Sequence, residues 1–204
     1  MTVRWRAGNW SFNMGILTLI FAAILLFIVL LNNAAAAPIR TMAMLPTVMP
    51  AQSPSNSSTL DHEQLMRHAI REARLSRNYP MGAVIVDSLT GKILAGAAND
   101  AHLDPTLHAE IVAIQKVARK QNVYWKDLVL YSTVEPCPMC LSAIIWAGIP
   151  RVYFGSSMLF LQQQGFSQID IRAADIAARA TFSTIEIHGG LLQKECNALL
   201  IGYK

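Results

Sequence analysis

Three side chains able to bind one metal ion occur at His108, Cys137 and Cys140. The two cysteines are three positions apart, a spacing that puts both sulfur atoms on one face of a helix. One histidine nitrogen and two thiolate sulfurs supply three protein ligands for zinc and leave the fourth tetrahedral position open for water. That composition is typical of a catalytic zinc site rather than of a structural one.

A carboxylate, Glu110, follows His108 by two positions. Side chains at i and i+2 of a helix do not share a face, so Glu110 is badly placed to be the fourth ligand. It can instead reach the metal-bound water, whose pKa zinc lowers from about 15.7 to about 7. We therefore predict hydrolytic chemistry in which Glu110 moves the proton.

A Cys-x-x-Cys pair alone is equally typical of a redox pair or of a structural zinc knuckle. A structural site would need a fourth cysteine or histidine nearby. Neither His102 nor His188 has the required spacing, and Cys196 is expected to be a small buried apolar residue. The presence of His108 and Glu110 favours the catalytic interpretation.

The order His-Ala-Glu at 108–110, then Glu-Pro-Cys-Pro-Met-Cys at 135–140, resembles the zinc-dependent cytidine/deoxycytidylate deaminase superfamily. The residues of these two motifs are most similar to those of the branch that contains guanine deaminases, nucleoside deaminases and tRNA adenosine deaminases. The resemblance covers roughly residues 60–204. It implies one Zn²⁺ per chain, held by the histidine and the two cysteines, release of ammonia from a nucleobase ring, and a homodimer.

The same resemblance implies contacts with the substrate. Asn99 matches the asparagine that holds the base or ribose, and the backbone N–H of Ala109 matches a contact with the base. Tyr79 and Pro80 match positions that wall the pocket. Asn99 is equally explained by turn chemistry after a strand, and Tyr79 and Pro80 by core packing. For Glu135 we expect a structural hydrogen bond to the turn that follows it.

Short apolar runs alternate with helical patterns from about Thr59 onward. Strands are predicted at 83–86, 92–98, 128–134, 151–155 and 185–187, and a closing helix at 191–200. Asp104 followed by Pro105 predicts the start of the helix that carries His108. Residues 156–180 are poorly patterned and are expected to form a loop with one or two helices. The alternation predicts an α/β fold, a three-layer α/β/α sandwich, which agrees with the resemblance.

The N-terminal residues 1–37 have the order basic, apolar, small. Arg4 and Arg6 precede an uncharged apolar run over 14–31, and four alanines follow, as in a secretory signal peptide. The run also reaches the lower limit of about 17–18 residues for a spanning helix, so a retained membrane anchor is the alternative. In either case the arginines favour export of the domain, into the periplasm or the extracellular space.

The remaining boundaries follow from composition. Residues 38–58 contain four prolines and a Ser/Asn cluster and are predicted to be a solvated linker. The deaminase domain is then 59–204.

The net charge of +4 is concentrated outside this domain. Three arginines precede residue 59, and the remainder contains 14 basic and 13 acidic residues, a net charge of +1. Such a domain lacks the excess of positive charge with which proteins bind a phosphate backbone. We therefore expect a free purine base or nucleoside as substrate, guanine or guanosine first, and no nucleic-acid partner. The alternatives are a tRNA adenosine-to-inosine deaminase and a non-catalytic zinc-stabilised domain.

Overall fold

The computed structural model describes residues 60–202. They lie within the second of the two units into which the chain divides, Pro54–Lys204. The predicted leader and linker fall outside the described residues, and their boundaries stay predictions. Within 60–202, no helix has the length and apolar composition needed to cross a membrane.

Five strands form one mixed sheet. They are β1 (Gly82–Asp87), β2 (Ile93–Ala98), β3 (Leu128–Val134), β4 (Arg151–Ser156) and β5 (Glu186–His188). Their order across the sheet is β2-β1-β3-β4-β5. β1 is antiparallel to β2 and to β3, whereas β3, β4 and β5 are parallel to one another. The carboxyl ends of β3 and β4 and the beginning of β1 therefore lie at the same edge.

Helices cover both faces of this sheet. They are α1 (His62–Ala73), α2 (Ala109–Ala118), α3 (Pro138–Ala147), α4 (Met158–Gln163), α5 (Ala173–Ala177) and α6 (Gln193–Leu200). In β1, Ala83 and Ile85 pack with α2, α3 and α5, while Val84 and Val86 pack with α1 and α6. Successive strand residues point to opposite faces, so the fully buried β1 serves two apolar layers at once. The predicted α/β fold, a sheet flanked by helices, is confirmed.

Two glycines allow helices to approach the sheet closely. A Cβ atom at Gly82 would overlap the carbonyl oxygen of Ala69 in α1. A Cβ atom at Gly155 would overlap the sulfur of Cys196 in α6. Cys196 is fully buried, as the sequence predicted.

The predicted start of the second helix is wrong by about four residues. The Asp104 carboxylate accepts hydrogen bonds from the backbone N–H (2.8 Å) and the hydroxyl (2.7 Å) of Thr106. Bonds of this local kind stabilise a turn in competition with a helix. The helix begins at Ala109, with His108 in the N-cap position.

The poorly patterned segment after β4 contains two short helices, α4 and α5, as expected. Leu161 of α4 packs with Met81, Val134 and Leu200 at the edge where β3 ends. This small cluster joins the segment to the carboxyl end of the sheet, next to the two cysteines.

Candidate active site

Two helix N-termini bring the three predicted metal ligands together. His108 is the N-cap residue of α2, with φ −66° and ψ 156°, and Cys137 is the N-cap residue of α3, with φ −64° and ψ 168°. Pro138 follows at the first helical position, where its missing N–H is no loss. Cys140 lies in the first turn of α3. Because α2 and α3 pack against each other, their first turns meet.

The ligand atoms form one compact group. The His108 Nδ1 atom lies 3.6 Å from the Cys137 sulfur and 3.5 Å from the Cys140 sulfur. All three ligand atoms lie within 4.8 Å of one another, and no other group of three or more such residues occurs in residues 60–202. Cys140 is buried, while His108 and Cys137 are half-buried.

These distances fit zinc. An ion about 2.0–2.1 Å from nitrogen and about 2.3 Å from sulfur, with tetrahedral angles, separates the nitrogen from each sulfur by roughly 3.5 Å. The observed separations, 3.6 and 3.5 Å, match that edge length. The donor set of one imidazole and two sulfurs also suits zinc.

The two thiols differ in acidity. The hydrogen bond from Cys140 lowers the pKa of the Cys137 thiol to about 4, and the contact with His108 acts in the same direction. The contact with Cys137 and burial raise the pKa of Cys140. These contacts favour the thiolate form of Cys137, which is the form that binds metal.

Glu110 lies in the first turn of α2 and is only 4% exposed. Burial raises the pKa of its carboxyl above the ordinary value. Its Oε1 atom accepts a hydrogen bond of 2.9 Å from the Ser132 hydroxyl of β3. A carboxyl with a raised pKa beside a metal site is suited to taking up and releasing a proton.

Sequence reasoning missed Ser132. The signal was present, because Ser132 is a polar residue between Leu130 and Val134 on a face of β3 that is otherwise apolar. Its position is 1% exposed. A buried hydroxyl in such a place needs a hydrogen-bonding partner, and here the partner is Glu110.

Asn99 is buried directly after β2 and lines a cavity of about 560 Å³ together with Ser76, His102 and Lys116. Its Oδ1 atom accepts from the N–H of Ala101 (2.9 Å), which is the turn role considered above. Within residues 60–202 its amide nitrogen has no protein partner. Asn99 can therefore serve the turn and still offer two N–H donors to a ligand.

Of the other positions predicted from the sequence, some lie in the expected environment and others do not. Ala109 is the first residue of α2, so its N–H lacks a partner within the helix. Pro80 is buried, whereas Tyr79 is half exposed with its ring centroid 6.3 Å from that of Phe166. Glu135 does make structural hydrogen bonds, but to Met158 and Ala173 and not to the turn that follows it.

Comparison with known families gives one match that covers the site. The family described as the cytidine and deoxycytidylate deaminase zinc-binding region matches residues 59–156. This range contains all three candidate metal ligands and Glu110.

Two curated relatives support the same assignment. A tRNA-specific adenosine deaminase of Haemophilus influenzae is 33% identical over 150 residues, which cover 68% of this chain and 80% of the relative. A guanine deaminase of Bacillus subtilis is 37% identical over 114 residues, which cover 52% of this chain and 72% of the relative.

Among solved structures, a guanine deaminase from Nitrosomonas europaea is similar in fold. The TM-score is 0.63 at 20% sequence identity, and the match covers 79% of this chain and 98% of that chain. The mixed sheet flanked by helices is therefore a fold already seen in a deaminase.

The predicted exported location is wrong. It was inferred from the hydropathy of the N-terminal residues alone, which lie outside the described part of the chain. The domain itself is similar to enzymes named for tRNA and for guanine. Among residues 60–202, no helix is able to cross a bilayer.

Proposed function

The chain belongs to the cytidine/deoxycytidylate deaminase superfamily, and from this membership we propose that it deaminates a free purine base or nucleoside, with guanine or guanosine first. The family resemblance, the hydrolytic deaminase activity on C–N bonds and the zinc cofactor are confirmed. A non-catalytic zinc-stabilised domain is accordingly excluded.

The metal would be held by His108, Cys137 and Cys140, with the fourth position left for a non-protein ligand. When bound, zinc supplies Lewis acidity that makes water a nucleophile near neutral pH. The two helix N-termini that present these residues also favour the negative charge of the thiolates.

Glu110 is proposed as the catalytic proton carrier. Its carboxyl is buried, its pKa is raised by that burial, and Ser132 fixes one of its two oxygens. The carboxyl then takes the proton from the attacking water and delivers it to the departing amino group. Ammonia leaves, and a ring carbonyl replaces the ring amine.

Asn99 and Ala109 are proposed as substrate-binding residues. Asn99 lines a cavity that the metal ligands do not line, and its amide nitrogen lacks a protein partner in the described residues. The Ala109 N–H belongs to the open first turn of α2. Both are donors, and a purine offers ring nitrogens and an exocyclic oxygen as acceptors. Such contacts fix the orientation of a heterocycle beside the metal.

The observation that favours a small substrate is the charge of the domain. With 14 basic and 13 acidic residues from 59 onward, it lacks the excess of cations with which proteins bind a phosphate backbone. The domain limits 59–204 and the homodimer implied by family resemblance are further proposals.

The second candidate is a tRNA adenosine-to-inosine deaminase. The observation that favours it is the similarity to the tRNA-specific adenosine deaminase of Haemophilus influenzae, which extends over 80% of that enzyme. Both candidates use the same metal and the same proton carrier, so they differ only in what enters the pocket.

A substrate panel separates the two candidates. Guanine, guanosine, adenine, adenosine, cytidine and a tRNA anticodon stem-loop are each incubated with the zinc-loaded protein, and ammonia and inosine are measured over a range of salt concentrations. We expect turnover of a free purine that is nearly flat in salt, whereas single-stranded RNA binding would fall with a log–log slope of about −0.7 per phosphate contacted. Inosine in the stem-loop with every free purine untouched would establish the tRNA candidate instead.

Asn99→Asp tests the proposed substrate donor while keeping an oxygen for the Ala101 N–H. Because the amide donors are lost, we expect kcat/KM to fall by about 10–100-fold, with little change in melting temperature. Asn99→Ala, which also removes the turn bond, should lose the same activity and some stability. An Asn99→Asp enzyme with wild-type kcat/KM would restrict Asn99 to its role in the turn.

A further inference from the structure

The carboxylate of Glu135 is buried at the carboxyl end of β3, two residues before Cys137. It is 7% exposed. Its Oε2 atom accepts a hydrogen bond from the N–H of Met158 (2.9 Å), and its Oε1 atom accepts one from the N–H of Ala173 (3.0 Å). The N–H of Glu135 donates to the carbonyl oxygen of Ser156 (2.8 Å). One residue thus joins three segments that are 21 to 38 positions away in sequence.

Both donors to this carboxylate are first residues of helices. Met158 begins α4 and Ala173 begins α5, and N–H groups in a first helical turn have no partner within the helix. Two hydrogen bonds to separate oxygens require two acceptors, which a carboxylate has and a side-chain amide lacks. Hydrogen bonds to an ionised group are also the stronger kind.

The position of α5 bears directly on the metal site. Ala173 is buried in one apolar cluster with Leu141, Ile144 and Ile145 of α3, the helix that presents both cysteines. The two helices are in contact. Fixing the start of α5 therefore fixes one side of α3, while the backbone bond to Ser156 fixes the strand end from which α3 begins.

We propose that Glu135 is a positioning residue for the metal site, which rests on the ligand set assigned above. Its carboxylate holds the first residues of α4 and α5, and through α5 one side of α3. Its backbone N–H holds the Glu135–Cys137 turn against Ser156 at the end of β4. These restraints keep the Cys137 and Cys140 sulfurs at 3.6 and 3.5 Å from the His108 nitrogen. Glu135 touches neither metal nor substrate and acts only through α3 and its N-cap.

Two substitutions weaken the hydrogen bonds of this carboxylate from opposite sides. Glu135→Gln replaces one acceptor oxygen by a donor. Ala173→Pro removes the opposing N–H at the first helical position, where proline is tolerated and where the extended Arg172 (φ −72°, ψ 152°) suits a following proline. We expect each to weaken zinc binding by about 10–100-fold in a chelator competition, as groups that support metal ligands typically do. Each should also alter the visible spectrum of the Co²⁺-substituted protein and lower kcat more than it raises KM.

A double variant tests whether the two positions act through one bond. Glu135→Ala removes both side-chain bonds, including the one that Ala173→Pro removes, so Glu135→Ala/Ala173→Pro should bind zinc no more weakly than Glu135→Ala. Additive losses of zinc affinity would contradict a shared route. Glu186→Gln, which changes an exposed carboxylate on β5, is the matched control and should leave zinc binding unchanged.

A general loss of stability is separated from positioning by Ile70→Val, which trims the apolar layer on the opposite face of the sheet. That variant should lower the melting temperature and leave zinc affinity and the Co²⁺ spectrum unaltered. Glu135 variants that lose stability yet keep zinc affinity and the Co²⁺ spectrum would overturn the proposal. If Glu135→Gln does not fold, Ala173→Pro with the same two metal measurements decides it. Failure of the ligand set itself would appear separately, as full zinc in Cys137→Ala.

Discussion

Glu110→Gln is expected to lower kcat by about 10²–10⁴-fold while the protein keeps its zinc and its fold. The glutamine retains an oxygen to accept the Ser132 hydroxyl bond of 2.9 Å, so local packing is preserved. It cannot take up a proton at neutral pH. Ammonia release gives kcat, and metal analysis of the same sample gives the zinc content.

Two further variants test whether the fall in kcat is due to the loss of proton transfer by Glu110. Ser132→Ala removes the partner of Glu110 without removing the proton carrier, and should reduce kcat much less than Glu110→Gln. Glu63→Gln alters an exposed glutamate on α1 and should have wild-type kcat. Turnover that survives in zinc-loaded Glu110→Gln would mean that a different group moves the proton.

Cys137→Ala is expected to abolish both zinc binding and turnover. It leaves only His108 and Cys140, and two ligands do not make the three-ligand site of a catalytic zinc. Because metal binding contributes to folding free energy, the melting temperature should fall to that of the chelator-treated wild type. Metal analysis, ammonia release and thermal unfolding on one preparation test all three statements.

The matched control is Cys196→Ala, which removes the cysteine of the domain that is not a proposed metal ligand. Cys196 is buried in α6 on the opposite face of the sheet, so its removal should leave zinc content and kcat unchanged. A Cys137→Ala protein that retains one zinc per chain would refute the ligand set. A fourth protein ligand in the native site would refute the open position.

The metal site was predictable because its signals are local in sequence. Cys137 and Cys140 are three positions apart and Glu110 is two positions after His108, and each pair lies at one helix N-terminus. The strands were similarly accessible, since runs such as Leu128–Val134 are wholly buried and lie between clear turns. These features needed no knowledge of what packs against them.

Other features depended on contacts between distant segments. The partners of Glu135 are 23 and 38 positions away and belong to a stretch with weak periodicity. An aspartate such as Asp104 is common both at the start of a helix and in a turn. Here its two hydrogen bonds with Thr106 stabilise the turn. The predicted export failed for a different reason, because it rested on residues 1–37 alone, which lie outside the family match over residues 59–156.

Because α6 packs closely on β4, the reactivity of the Cys196 thiol can be used to measure local unfolding of this protein. A thiol reagent can reach the fully buried Cys196 sulfur only after α6 has separated from the strand that contains Gly155. Burial also raises the pKa of this thiol to about 12, so it is protonated and unreactive in the folded state. In the zinc-loaded protein, the rate at which Cys196 is alkylated therefore measures how often α6 separates from the sheet. This measurement is made under native conditions, without added denaturant.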